Sequence, residues 1–155
     1  MNESVQDLFE WKQSSTLFPR QPRQAFFDVM LSHPFWEELK ILDIGGNCGN
    51  FLQDGIANGT VLPENYYCLD VDKSAIDYGV ENFPQANWHH HNAFNHMYNP
   101  NGEEELIFPF ENNMFDVVMA YSVYSHTTYE QFKFDLEQIK RVCKPGGQIA
   151  ITFVD

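Results

Sequence analysis

The nine residues Ile41-Leu42-Asp43-Ile44-Gly45-Gly46-Asn47-Cys48-Gly49 constrain this chain more than any other stretch. The first four read as a short buried strand, and the glycines that follow at once demand a sharp turn. Short apolar strands of this kind belong to parallel sheets covered by helices on both faces. From Lys40 onward, strand and helix patterns alternate. Helices are predicted over 49–57, over 74–82 (stopped by Phe83-Pro84) and over 128–143, where Phe132, Leu136, Ile139 and Val142 make an apolar stripe. Strands are predicted over 66–71, 88–92 and 115–121, and a last one over 148–154, after a break at Lys144-Pro145-Gly146-Gly147. The expected fold class is a doubly wound α/β domain with a mostly parallel sheet and helices on both faces.

A helical cap precedes it. Residues 3–13 space Val5, Leu8 and Phe9 as a short helix with Asn2 or Ser4 as its cap, and 14–21 read as a connector. Pro22 suits the first turn of a second helix carrying Ala25, Phe26, Val29 and Met30. The expected division is therefore a cap over 1–38 and an α/β unit over 39–155, together one compact body of 155 residues. Residues 93–113 make a long connection that includes Glu103-Glu104-Glu105. Connections of this length are functional lids or solvated excursions, and both readings fit.

Composition narrows the function. Nine Lys and Arg against 22 Asp and Glu give a net charge of −13. A partner bound through its phosphates would be repelled over most of such a surface, which disfavours nucleic acid despite the neighbouring Arg20 and Arg23. No run of about 18 apolar residues suggests a membrane span, and Met1-Asn2-Glu3-Ser4 lacks the basic start of a signal peptide. Cys48, Cys68 and Cys143 are far apart with no CxxC, so a reducing, cytoplasmic location is expected.

The turn after the first strand is where a sheet of this kind binds ligands. A GxGxxG fingerprint fails in every register, because Asn47 and Asn50, or Cys48, stand where glycine is required. A P-loop fails for want of Gly-Lys-Ser/Thr. What remains is acid-x-Gly-x-x-x-Gly, from Asp43 to Gly49. An acid before the turn is a poor neighbour for a pyrophosphate and suits an ammonium group. Asp70, after the second strand, can accept from both hydroxyls of a ribose. One acid for an amine and one for a ribose describe S-adenosylmethionine better than a nicotinamide cofactor.

On these residues the chain resembles the class I S-adenosylmethionine-dependent methyltransferases, from about Leu39 to Val154. Four blocks carry the resemblance: Ile41 to Gly49, Leu69-Asp70-Val71-Asp72, Phe108 to Val118, and Ile139 to Gly147. It implies a sheet in the order 3-2-1-4-5, S-adenosyl-L-methionine as cofactor, and methyl transfer; the acidic charge balance and the helical cap make a small molecule the expected acceptor. It further implies that Gly45, Gly46 and Gly49 let backbone approach the methionine end, with Asp43 orienting the turn or meeting the amino group. Asp70 would hold the ribose, Val71 would pack on adenine, and Asn92 and the Ala93 N–H would meet the adenine edge. The carbonyl of Ala120 or Tyr121 would accept from the cofactor's amino group.

The chain departs from that pattern in four places, one being a connection from Asn92 to Phe115 about a dozen residues longer than is usual. Asn47 stands where the turn's second glycine is usual, and asparagine tolerates the left-handed backbone better than other non-glycine residues. Asn92 replaces a common aspartate. The sequence ends after the fifth strand, where the family usually adds a helix and two more strands. The expected open edge calls for a second copy, a partner chain, the N-terminal helices or a truncation. Two other classes stay open: a non-catalytic cofactor-binding or partner subunit, and, more weakly, a nicotinamide oxidoreductase.

Several side chains invite chemistry of their own. His89, His90, His91 and His96 suggest metal, but strand alternation sends His89 and His91 to one face and His90 to the other, so no metal is expected. His126 follows the fourth strand, in a stretch where related enzymes carry a histidine. It is the candidate catalytic base, with a plain surface histidine as the alternative. Tyr121, Tyr124 and Tyr129 are candidates either for an acceptor pocket or for the core. Arg20 or Arg23 would meet the methionine carboxylate, or remain solvated.

Overall fold

The computed structural model describes residues 23–32 and 34–153. The helix expected over 3–13, the connector over 14–21, Arg20, Pro22 and Val154 lie outside the described residues. The elements are α1 (Arg23–Met30), a 3-10 turn (Trp36–Glu38), β1 (Ile41–Ile44), α2 (Asn50–Asn58), a second 3-10 turn (Pro63–Asn65), β2 (Tyr66–Asp70), α3 (Lys73–Asn82), β3 (Asn87–His90), β4 (Phe115–Ala120), α4 (Tyr129–Val142) and β5 (Cys143–Ile151). The five strands form one sheet, all parallel, in the order β3-β2-β1-β4-β5, as the resemblance implied.

Strand alternation divides the core into two layers. Ile41, Tyr66, Cys68, Val117 and Met119 face one side, where they meet Phe27 of α1, Trp36, and Phe51 and Leu52 of α2. Leu42, Ile44, Leu69, Val118 and Ala120 face the other, against Phe108, Phe110, Tyr124 and Ile139. Burying each large side chain contributes about 1.5–3 kcal/mol, so both layers are needed to hold the central strands. α1 joins the first layer through the edge-to-face rings of Phe27 and Phe51, 6.0 Å apart. The Trp36 indole donates to Asp28 at 2.6 Å and ties the entry to β1 back onto α1.

Two helix starts carry side-chain caps. Asp72 accepts from the Ser74 and Ala75 N–H groups at the start of α3, and Thr128 accepts from Gln131 N–H at the start of α4. Inside α3, Gly79 is required for space. A Cβ there would fall within the Trp88 indole of β3. Gly79→Ala gains about 1 kcal/mol of helix propensity but overpacks this contact. The expected net loss is about 1–2 kcal/mol, a fall of roughly 3–8 °C in thermal unfolding. A melting temperature at or above wild type would contradict this packing.

Two expectations need correction. The Lys144-Pro145-Gly146-Gly147 break is not a turn ahead of a strand at 148. α4 ends at Val142 and β5 begins at Cys143, paired with Phe115; the register then slips, so that Val117 pairs with Gln148. The extra residues form a bulge, with Gly146 at φ +81° and the Lys144 ammonium bridging to Asp116 at 2.7 Å. The connection 93–113 is not simply a solvated excursion either. Phe108 and Phe110 are buried in the second layer, and the Arg141 guanidinium donates to both of their carbonyls, at 2.9 and 2.7 Å.

Candidate functional site

The turn after β1 is built on three left-handed residues, Gly45 (φ +66°), Asn47 (φ +53°) and Gly49 (φ +74°). Asn47 thus adopts the backbone of the glycine it replaces, as its tolerance for that region allows. Gly45 N–H donates to the Leu69 carbonyl at 2.8 Å, and Gly49 N–H to Gly46 at 2.9 Å. Gly49 is the N-cap of α2 and supplies no side-chain cap.

Beneath the turn lies a buried polar cluster. Register sets Asp43 beside Cys68, and alternation sends both, with Tyr66, to the first layer. The Tyr66 hydroxyl donates to Asp43 at 2.7 Å. Burial pushes the Asp43 carboxyl up to about 7, against the opposing pull of the Tyr66 hydrogen bond and the Arg23 charge. The Tyr66 hydroxyl and Cys68 thiol are both raised as well, first by burial and then by nearby negative charge.

A carboxyl raised on folding contributes stability that is fully present below its unfolded value of 3.8 and is lost as pH rises through about 7. Asp43→Asn keeps an acceptor for Tyr66 and removes the charge. Between pH 4 and pH 8 the wild type should therefore lose about 2–4 kcal/mol relative to this variant. Paired urea titrations measure the difference; parallel pH profiles would show that Asp43 is not held this way.

Asp70 ends β2 with its carboxylate fixed at two points. One oxygen accepts from Asn47 N–H and the other from Asp72 N–H, each at 2.8 Å. The first bond joins the ends of β1 and β2. Asn47 Oδ1 is buried without a hydrogen-bond partner. Val71 is half-buried beside the α3 cap. Beyond β3, Ala93 is buried and Asn92 exposed, with its amide accepting from Asn99 at 3.1 Å and donating to Glu103 at 3.4 Å. His89 stacks on Tyr67, and His91 meets the Phe108 ring edge-on, while His90 is exposed.

The other side of the site comes from β4. The Ala120 carbonyl accepts from Thr152 N–H at 3.0 Å, so the sheet already uses it. The Tyr121 ring lies under the Arg23 guanidinium, 3.4 Å from its centre, and meets Phe26 edge-on. A Cβ on Gly45 would run into Val123, which places the loop after β4 against the turn. His126 N–H donates to the Val123 carbonyl at 3.0 Å.

The three tyrosines do not share a pocket. Tyr124 belongs to the second core layer, packed on Phe132. Tyr129 is 71% exposed at the start of α4. Burial also pushes Asp135, beside Tyr124, up to about 6.

Asp43, Gly45, Gly46, Asn47, Gly49 and Asp70 therefore meet at the carboxyl ends of β1 and β2, faced by Ala120, Tyr121 and Val123. Sequence reasoning missed Tyr66 and Asn95. Strand parity relative to Asp43 could have found Tyr66; Asn95, whose side chain reaches His126, carries only the faint signal of an asparagine that opens a turn.

The parallel sheet and the glycine turn after its first strand define a doubly wound α/β domain. A family model described as "Methyltransferase domain" matches residues 42–149. The chain belongs to that family, the class I S-adenosylmethionine-dependent methyltransferases, whose cofactor is S-adenosyl-L-methionine.

Similar solved structures share the fold at low identity. A TehB-like SAM-dependent methyltransferase from Corynebacterium glutamicum is 19% identical, with a TM-score of 0.65 over 99% of this chain and 74% of that one. A SAM-dependent methyltransferase from Aquifex aeolicus is 19% identical, with a TM-score of 0.60 over 96% and 70%. A chain from the complex of the Haloferax volcanii Trm112 methyltransferase activator is 15% identical, with a TM-score of 0.64 over 95% and 57%. Among the described residues, no helix is long and apolar enough to cross a membrane.

Proposed function

We propose that this chain binds S-adenosylmethionine at the turn after β1 and transfers its methyl group to a small-molecule acceptor. The observation that carries the reading is an excess of acceptors around the turn: the Asp43 carboxyl, the Asp70 carboxylate and the orphaned Asn47 Oδ1. Such a set fits a ligand that brings donors, an ammonium group and two ribose hydroxyls, and is a poor fit for the pyrophosphate of a nicotinamide cofactor. The bound cofactor supplies a methyl group on a positively charged sulfur, open to attack by a nucleophile.

The chain's own residues would hold the partners in line. Asp70 accepts from the ribose, and Gly45, Gly46, Asn47 and Gly49 let backbone come close to the methionine end. Arg23, stacked on Tyr121 and electrostatically coupled to Asp43, supplies the cation for the methionine carboxylate. Val71, Asn92 and Ala93 flank the adenine, and the Tyr121 carbonyl accepts from the amino group. Alignment of acceptor and methyl supplies most of the rate, and His126 takes a proton from an acceptor that has one to lose.

His126→Ala should cut turnover by about 10²-fold or more, the usual range for a general base, while affinity for S-adenosylhomocysteine stays within about twofold. Transfer of labelled methyl to a panel of phenols, amines, thiols and carboxylates reads this out. Equal turnover would remove His126 from the mechanism.

A second reading has its own observation. β5 pairs only with β4 among the described residues, and Ile149 and Phe153 are exposed on or just past it. An open strand of this kind invites a further strand from another chain. In this reading the chain serves as a cofactor-binding subunit that works with a partner or a second copy. It predicts that S-adenosylhomocysteine binds but that no acceptor is methylated until the partner is supplied.

A further inference from the structure

The connection after β3 makes one contact with the loop after β4 that neither the family pattern nor the methyl-transfer reading uses. Asn95 is 9% exposed, and both ends of its amide are engaged. Its oxygen accepts from the N–H groups of Met97 and Tyr98, at 3.0 and 3.1 Å. Its nitrogen donates to the His126 carbonyl at 3.2 Å. Two N–H groups facing the oxygen fix the orientation of the amide, so the nitrogen must face His126. The backbone of Asn95 is held as well, exchanging hydrogen bonds with Asn99 at 3.0 and 2.9 Å. The Tyr98 ring meets the His126 ring edge-on, 6.3 Å between centres.

We propose that Asn95 is a positioning residue: it locks the turn that carries Tyr98 to the loop that carries His126, so that the two rings form one wall on the acceptor side of the site. The proposal rests on the methyl-transfer reading, which makes that side the acceptor's. Contacts run from the glycine turn through Val123 to His126 and on to Asn95, so the wall is referenced to the same turn that receives the cofactor. Tyr98 is half exposed where it meets His126, which gives the wall an aromatic character suited to an acceptor with a flat apolar body. The amide nitrogen makes the hydrogen bond that joins the Asn95 side chain to the His126 loop.

Asn95→Asp separates the two roles of the side chain. It keeps an acceptor for Met97 and Tyr98 N–H, but sets a carboxylate oxygen against the His126 carbonyl. The test compares wild type, Asn95→Asp and Tyr98→Ala in three measurements: S-adenosylhomocysteine affinity by calorimetry, the His126 ring resonance (assigned with His126→Gln), and methyl transfer to phenol, benzylamine or thiophenol, whichever the wild type methylates fastest. In Asn95→Asp, affinity is expected to stay within twofold, while the His126 resonance moves in the same direction as in Tyr98→Ala. Turnover should fall about tenfold, equivalent to one hydrogen bond.

A His126 resonance unchanged in Asn95→Asp, with S-adenosylhomocysteine still bound, overturns the positioning role. Loss of S-adenosylhomocysteine affinity by tenfold or more in Asn95→Asp overturns it too, because Asn95 would then be merely structural. Failure of the wild type to bind S-adenosylhomocysteine is a different result, and it overturns the cofactor reading beneath the proposal.

Discussion

Gly46→Ala should lower the melting temperature by roughly 6–12 °C, from a loss of about 3 kcal/mol, and abolish measurable cofactor binding with it. The added Cβ would sit 2.8 Å from each of three buried atoms: Asp43 Oδ2, Cys68 Sγ and the Tyr66 hydroxyl oxygen. None of these is the loose end of a surface side chain. Asp43 and Tyr66 are hydrogen-bonded to each other, and Cys68 lies on a central strand. The strain has to pass into the turn itself, where backbone is meant to approach the cofactor. Adding Cys68→Ala to the variant removes one of the three obstacles and should restore part of the melting temperature, a coupling expected between residues in contact. A fully stable Gly46→Ala protein would mean that the cluster beneath the turn is looser than described.

Asp70→Asn should cost more in binding than in folding. The carboxylate accepts two backbone N–H groups, one on each oxygen. An amide of the same shape keeps one acceptor and turns an NH2 group on the other N–H. It also loses the charge that strengthens bonds from the ribose hydroxyls. Two such bonds at about 1.5 kcal/mol each amount to roughly 3 kcal/mol, or about 100-fold in affinity for S-adenosylhomocysteine. Calorimetry on protein whose circular dichroism matches wild type checks this. Affinity within about threefold of wild type would remove Asp70 from the ribose.

The strands and the glycine turn were legible because their signals are local, whereas the order of the sheet came from the family resemblance. Short apolar strands identified β1, β2 and β4, and the acid-flanked glycines pointed to the ligand end of the sheet. Asn47 was expected to tolerate the left-handed backbone because it stands where the family pattern has glycine, and it adopts that backbone. The bulge at the start of β5 was not legible, because proline and two glycines signal a turn equally well. What decides is pairing with Phe115, from another part of the chain.

Burial of Phe108 and Phe110 was hidden for a similar reason. Their partner is the Arg141 guanidinium, more than thirty residues later, and no local period records it. Among the three tyrosines, residue type could not separate core from pocket. Tyr124 packs inward on Phe132, while Tyr121 turns towards Arg23. Asn95 escaped notice because its importance lies in a carbonyl 31 residues away.

Thermal unfolding with S-adenosylhomocysteine, S-adenosylmethionine and NAD in parallel tests most directly whether the turn after β1 receives S-adenosylmethionine. At one hundred times its dissociation constant a ligand adds about 2.7 kcal/mol, or roughly 5–10 °C for a domain of this size. That shift is expected with the two adenosyl compounds and not with NAD, and in Asp70→Asn at the same concentrations it should shrink to about 1–2 °C. A shift with NAD alone, or no shift with any of the three, would contradict binding of S-adenosylmethionine at that turn.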